Sequence, residues 1–320
     1  MAKPSPDSTR PSRLLVLELW GLGDLALAIP FLREAALHTH VTLLAKPQAA
    51  PVLARFAPTV EHVPLTAPWS AFHGKYRLHT WPWRSFARTL RALRDYRFDC
   101  GVSARPDPRD HLLLRLTGTP RRLGFPRRGM IGLLTESVAV PQKPHRAEHW
   151  RALAAALGWP LRPIPTRARS GRRIILHTGA AQPVRRWPAG RFAELAERLR
   201  ASGWEVISLD DTLTDLDRLL DTLATADRFI GNDSGPGHLA AVLGVPTFTI
   251  FGPQLPELFA PEHRGAAWLE GAPCPYKPCS DRCRFAEPTC ILALSVEAVW
   301  SRVATWLAIK PAERIRPPPP

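Results

Sequence analysis

No stretch of this 320-residue chain approaches the roughly 18 uncharged apolar residues that a membrane-spanning helix requires. The nearest run, LLVLELW at 14–20, is broken by Glu18 and soon followed by Asp24. Lys3, Arg10 and Arg13 precede it, but no small-residue cleavage site follows, which argues against a secretion signal. The expectation is a cytoplasmic protein, peripheral on a membrane at most. Strict C-x-x-C pairs are absent as well, so a zinc ribbon is excluded. No short-period repeat appears, and no aromatic-interleaved basic motif of a known nucleic-acid module. Nucleic acid is therefore not an expected partner, although Lys and Arg (43) outnumber Asp and Glu (28) to give a formal charge of +15. That excess calls for some anionic partner, such as a phosphorylated lipid or an acidic membrane surface. Residues 84–128 concentrate it, with twelve Arg against four Asp.

Apolar residues make up 45% of the chain, and the length favours two domains over one. Residues 1–12 are rich in Pro and Ser and read as a disordered tail. A strand–helix rhythm then begins with RLLVLELW (13–20), a short, nearly continuous apolar run that suits a buried parallel strand. GLGD opens a helix carrying Pro30, which should bend it. HVTLLAK (40–46) reads as a strand, and RSFARTLRALRDYRF (84–98) as an amphipathic helix. HRAEHWRALAAALG (145–158) reads as a helix closed by Gly158. Residues 159–172, with four Pro or Gly breakers, form a linker, after which the rhythm restarts over 173–308. The last helix, 294–308, has two possible places: within this second domain, or packed back on the first. Residues 309–320 are a tail. Two such βαβα halves imply an α/β protein of two doubly wound, Rossmann-like sheets facing each other across a cleft.

Three loops could carry chemistry. GLGD (21–24) lacks the third glycine of a dinucleotide fingerprint, since position 26 is Ala26, and Lys46 stands where a ribose-binding acid belongs. Asp24 is then either a helix N-cap or a working carboxylate at the carboxyl end of the first strand. HTGAAQPVRRWPAGRF (177–192) offers backbone donors and the guanidinium groups of Arg185 and Arg186 to a diphosphate. GNDSGPGHLA (231–240) sets Asp233 and His238 on either side of a Gly-rich turn that opens a helix, the geometry of an anion site. The bland alternative there is a buried, hydrogen-bonded histidine with a structural aspartate. Cys274, Cys279, Cys283 and Cys290 crowd one short segment, spaced x4, x3 and x6. In a reducing compartment four such thiols suit a structural Zn or iron–sulfur site better than disulfides.

Together LLVLELWGLGDLALAIPFLREAAL, IILHTGAAQPVRRWPAGRFAELAERL and FIGNDSGPGHLAAVLGVPTFTIFGP resemble glycosyltransferase family 9, the ADP-heptose:lipopolysaccharide heptosyltransferases. The resemblance implies a GT-B fold with acceptor bound by the N-terminal half and nucleotide sugar by the C-terminal half. It makes Asp24 the catalytic base, with Gly23 and Arg105 on the acceptor side. It assigns Thr178, Gly179, Ala180, Ala181, Arg185, Asp233, Ser234, Gly235 and His238 to the donor. The family's ribose-holding Glu has no counterpart, leaving Asp210 or Asp211 as substitutes in a shortened segment. The implied reaction is inverting, metal-independent transfer of a hexose or heptose from a nucleotide-diphospho-sugar to an anionic lipid-linked glycan at the inner membrane. No cofactor is expected for catalysis. The competing readings are a nucleotide-sugar epimerase on the same fold and an inactive nucleotide- or glycan-binding protein.

Overall fold

A computed structural model describes residues 11–71, 77, 79, 81–127, 131–165, 171–279 and 282–309. Most of both expected tails, and the middle of the expected linker, lie outside these residues. The chain divides into two compact units, Met1–Pro163 and Ile164–Pro320, so the division falls inside the segment read as a linker. No helix among the described residues is long and apolar enough to cross a membrane.

The first unit runs β1 (Arg13–Glu18), α1 (Leu22–Ala35), β2 (His40–Ala45), α2 (Ala49–Phe56), β3 (Glu61–Pro64), α3 (Trp83–Asp95), β4 (Cys100–Ser103), α4 (Pro108–Leu116), β5 (Arg121–Gly124), β6 (Glu136–Ser137) and α5 (Arg146–Ala156). Its strands form one parallel sheet in the order β3-β2-β1-β4-β5-β6. β1 is bonded on both sides, with Leu15 opposite Thr42 on one flank and Gly101 on the other. Both faces of β1 are covered, which is why residues 14–17 can be uniformly apolar. Helix α1 runs through Pro30 without interruption.

The second unit continues with β7 (Arg173–His177), α6 (Ala189–Ala201), β8 (Glu205–Leu209), α7 (Leu216–Thr225), β9 (Arg228–Asn232), α8 (Gly235–Val242), β10 (Thr247–Phe251), α9 (Pro256–Phe259), β11 (Ala267–Glu270), α10 (Thr289–Leu292) and α11 (Val296–Ala308). Its sheet is also parallel, ordered β11-β10-β9-β7-β8. Local chemistry sets the helix ends. Asp215 and Ser295 accept from the backbone N–H of Arg218 and Ala298, capping α7 and α11. Gly158 and Gly203 close α5 and α6 at positive φ, the backbone conformation that costs a side-chain-bearing residue most.

In both sheets the chain builds outward from a central strand, then returns to that strand's other flank. The return falls between β1 and β4 in the first sheet and between β7 and β9 in the second. Loops leaving the carboxyl ends of such a strand pair diverge and open a crevice, the usual ligand position in open α/β sheets.

The final helix α11 belongs to the second unit's core. Val296, Val299, Val303 and Trp306 join Trp187, Phe192, Phe248 and Ile250 in one buried cluster. Trp187 links that core to the loop after β7: its ring Nε1 donates to the Leu294 carbonyl and its backbone N–H to Asn232 Oδ1. Replacing Trp187 by Ala is expected to lower stability by about 3–5 kcal/mol. Urea unfolding followed by far-UV circular dichroism checks it, and a midpoint within error of the parent's would contradict this role.

Candidate functional site

At the first reversal point β1 ends in Glu18 and the chain turns through Gly21 into α1. Asp24 sits in the first helical turn, where its Oδ2 accepts from the Gly21 N–H at 3.2 Å. The helix's positive end favours a carboxylate there. The loop after β4 brings Arg105, whose Nη2 donates to Asp24 Oδ1 in an ion pair. Sequence reading placed Gly23, Asp24 and Arg105 on one side of the reaction, and the structure brings Asp24 and Arg105 into contact.

Around this pair lies a set of side chains that no motif flagged. The Arg105 guanidinium stacks 4.4 Å from the centre of the Trp20 ring, and its carbonyl accepts from His111 Nε2 at 3.0 Å. Burial works against the charge on Arg105, but Asp24, Glu18 and Asp110 outweigh it and hold its pKa above the ordinary value. Glu18, only 4% exposed, accepts from the Trp20 N–H. Burial first, then the neighbouring Asp24, pushes its carboxyl up to about 8. Glu18 is thus a neutral acid near pH 7. Burial likewise raises Asp110 to about 6, although Trp69 Nε1 donates to it at 2.9 Å. Lys46, lowered by burial, donates Nζ to the Ser70 carbonyl at 2.8 Å. Arg146 is lowered by burial and then by Arg105. With Glu18 neutral, the cations Arg105, Arg146 and Lys46 stand against the carboxylates Asp24 and Asp110. Such a balance suits an anion.

The second unit repeats the arrangement. Its two loops leave β7 and β9, and Arg185 from the first pairs with Asp233 from the second at 3.2 Å. Gly231 permits the close strand approach beneath them, since a Cβ there would stand 2.9 Å from the His177 carbonyl oxygen. Fully buried Asn232, not foreseen from the sequence, ties the loops together: its Nδ2 donates to the Thr178 carbonyl at 2.8 Å while its Oδ1 holds the Trp187 N–H. Ser234 precedes α8 as its N-cap without a side-chain capping bond, because its hydroxyl donates to the Asn232 carbonyl. Gly235 opens that helix, and His238 is buried within its first turns.

The remaining expected donor-side residues stand in the loop after β7. The Thr178 hydroxyl donates to the Leu209 carbonyl, and the Ala180 carbonyl accepts from Arg186 Nε. Ala181 is exposed. Asp210 Oδ1 accepts from Thr212, whereas Asp211 lies directly against Gly179 and pairs with Arg186 at 2.8 Å. Of the two substitutes, Asp211 is the one beside the loop.

Cys274, Cys279, Cys283 and Cys290 are free thiols, with Cys290 buried. Cys279 and Cys283 donate to the Tyr276 and Glu287 carbonyls, and burial pushes the Cys279 and Cys290 thiols up. Among the described residues no group of three or more His, Cys, Asp or Glu is placed to hold a metal ion. The Zn or iron–sulfur expectation therefore has no ligand set there. The four thiols remain near one another, since Cys274 and Cys283 both act electrostatically on Cys279 and on Cys290.

Comparison with known proteins agrees with the resemblance read from the sequence. Residues 212–287 match the model of glycosyltransferase family 9 (heptosyltransferase), a stretch that includes Asp233 to His238 but neither Asp24 nor Arg185. Lipopolysaccharide heptosyltransferase 1 of Pseudomonas aeruginosa is 29% identical over 137 residues, covering 36% of this chain and only 38% of that relative. Two solved structures share the fold. The Escherichia coli ADP-heptose lipopolysaccharide heptosyltransferase II superposes with a TM-score of 0.65 at 20% identity, covering 92% of this chain and 98% of the other. The E. coli heptosyltransferase WaaC with ADP gives 0.71 at 16%, covering 92% and 99%. The two doubly wound sheets are thus of the GT-B type expected.

The buried acid at Glu18 makes stability depend on pH. An unfolded chain ionises Glu18 near its ordinary 4.5, while the folded chain keeps the proton up to about 8. Stability is therefore lost progressively as pH rises through that window. Glu18→Gln removes the proton from the equilibrium, so its melting temperature should gain on the parent's between pH 5 and pH 8. A constant difference across that range would mean that Glu18 is ionised in the folded protein.

Proposed function

We propose that this protein is an inverting glycosyltransferase that moves a sugar from a nucleotide-diphospho-sugar to an anionic lipid-linked glycan. Heptose from ADP-heptose and a lipopolysaccharide-type acceptor are the substrates that fit the proteins it resembles. It would work on the cytoplasmic side of the inner membrane. The observation that carries the reading is the paired Arg–Asp contact at each reversal point, one beside a helix-borne carboxylate and the other beside an amide-rich helix start.

A nucleotide-diphospho-sugar already carries its leaving group. The protein has to take a proton from the acceptor hydroxyl and receive the charge of the departing diphosphate. Asp24 is the base, oriented by Gly21 and Arg105. Arg105, Arg146 and Lys46 make its crevice attractive to the acids of the acceptor. In the donor unit the diphosphate sits at the start of α8, whose backbone amides and Arg185 take up the developing charge. Asp211 is the carboxylate placed for the ribose. A single displacement by the activated hydroxyl inverts the anomeric centre, and the reading asks for no metal ion.

Two variants separate the roles. Asp24→Asn should lower kcat by about 10²–10⁴ while a nucleotide-sugar still raises the melting temperature. Arg185→Ala should reduce that thermal shift. Near-parental turnover in Asp24→Asn would remove Asp24 as the base. Nucleotide binding without transfer to any glycan acceptor would favour the inactive binding protein, and C2 inversion of the free nucleotide-sugar would favour the epimerase.

A further inference from the structure

Helix α3 commits little of its surface to the fold. Leu93 is buried, and Phe86 and Leu90 pack beside it against Trp69, Leu113 and Leu114. On the opposite side Arg84, Arg88 and Arg91 recur at i, i+4 and i+7, all exposed. None of the three has a carboxylate partner among the described residues. Helices α5 and α6 differ in this respect. In α6, Arg198 and Arg200 pair with Glu194 and Glu197, and in α5 Arg151 pairs with Glu148. Helix α3 contains no glutamate at all, and Asp95 is its one acid.

Large apolar side chains border the arginine stripe. Trp83, at the start of α3, is 51% exposed. Arg94 Nε donates to the Leu116 carbonyl at 2.8 Å, which ties the end of α3 to the end of α4. There Leu112 (44% exposed) and Leu116 (37%) flank exposed Arg115 on one side of α4. Guanidinium groups interleaved with an exposed indole and exposed leucines match a layer that is anionic outside and apolar just beneath. A polynucleotide backbone supplies the charge but gives Leu112 and Leu116 nothing to enter. An anionic bilayer supplies both.

We infer that the α3–α4 face, built on Arg84, Arg88, Arg91 and Arg115 with Trp83, Leu112 and Leu116, docks this protein on an anionic phospholipid surface. The apolar side of α3 is already used inside the core. Docking is therefore electrostatic adsorption with shallow entry of Trp83 and the two leucines, reversed by salt.

The test is cosedimentation of the full chain with vesicles that contain neither glycan nor nucleotide sugar, so its result is independent of the transfer reaction. Vesicles of equal parts phosphatidylcholine and phosphatidylglycerol should bind the protein at low salt, and pure phosphatidylcholine should not. In R84Q/R88Q/R91Q the partition coefficient should fall about a hundredfold, since each arginine near such a surface contributes about fivefold. W83A should weaken partitioning while leaving its salt dependence in place. An unchanged far-UV spectrum and melting temperature would show that the variants remain folded. Equal binding to both vesicle types, undiminished binding by the triple variant, or complete displacement by RNA at equal phosphate concentration would each overturn the assignment.

Discussion

An arginine from one loop held against an aspartate from the next, across the place where a parallel sheet reverses its order, is the constraint on which both units depend. Parallel strands send their loops apart at such a place, and divergent loops have few contacts of their own. Arg105–Asp24 and Arg185–Asp233 supply the missing link. Both pairs are partly buried, so each partner would be left with an uncompensated charge if the other were removed. The two units solve the same geometric problem with the same chemistry on different strand orders. In the second, Asn232 adds a neutral tie from beneath, joining the chain on both sides of the crevice through its two amide ends.

The first crevice shows how one sign of charge is kept in excess by burial. Three acids and three bases meet near the end of β1, and full ionisation of all six would cancel. Burying Glu18 takes one acid out of the sum, and the indole of Trp69 holds Asp110 in a fixed direction. What remains is a weakly positive recess with one carboxylate pinned at a helix start. The same burial that makes Glu18 neutral also lowers Lys46 and Arg146, so the recess is more sensitive to its surroundings than a surface cluster would be.

Much of this was legible in the sequence because periodicity and punctuation report local structure faithfully. The apolar run of β1, the glycine closing α6 and the turn before α8 each announce themselves within a few residues. Asp24, Arg185 and Asp233 were also visible, since each stands in a motif beside a strand end. The rest of the site came from far apart in the chain. Glu18 meets Asp110 only because β1 and β4 are neighbours in the sheet, and a lone acid in an apolar strand carries no mark of its protonation. Asn232 looked like one polar residue in a turn, and nothing local reveals that Trp187 is its partner. In the cysteine segment the density along the chain was plain, and the local backbone gives the Cys279 and Cys283 thiols carbonyl acceptors within their own loop.

Ser234 is the N-cap residue of α8, yet its hydroxyl is spent on the Asn232 carbonyl and leaves the helix without the side-chain lid such a position usually has. Any bound anion therefore becomes the missing cap. Occupying the crevice and finishing the helix are a single event, and the first turn of α8 should exchange its amide hydrogens more slowly once the crevice is filled.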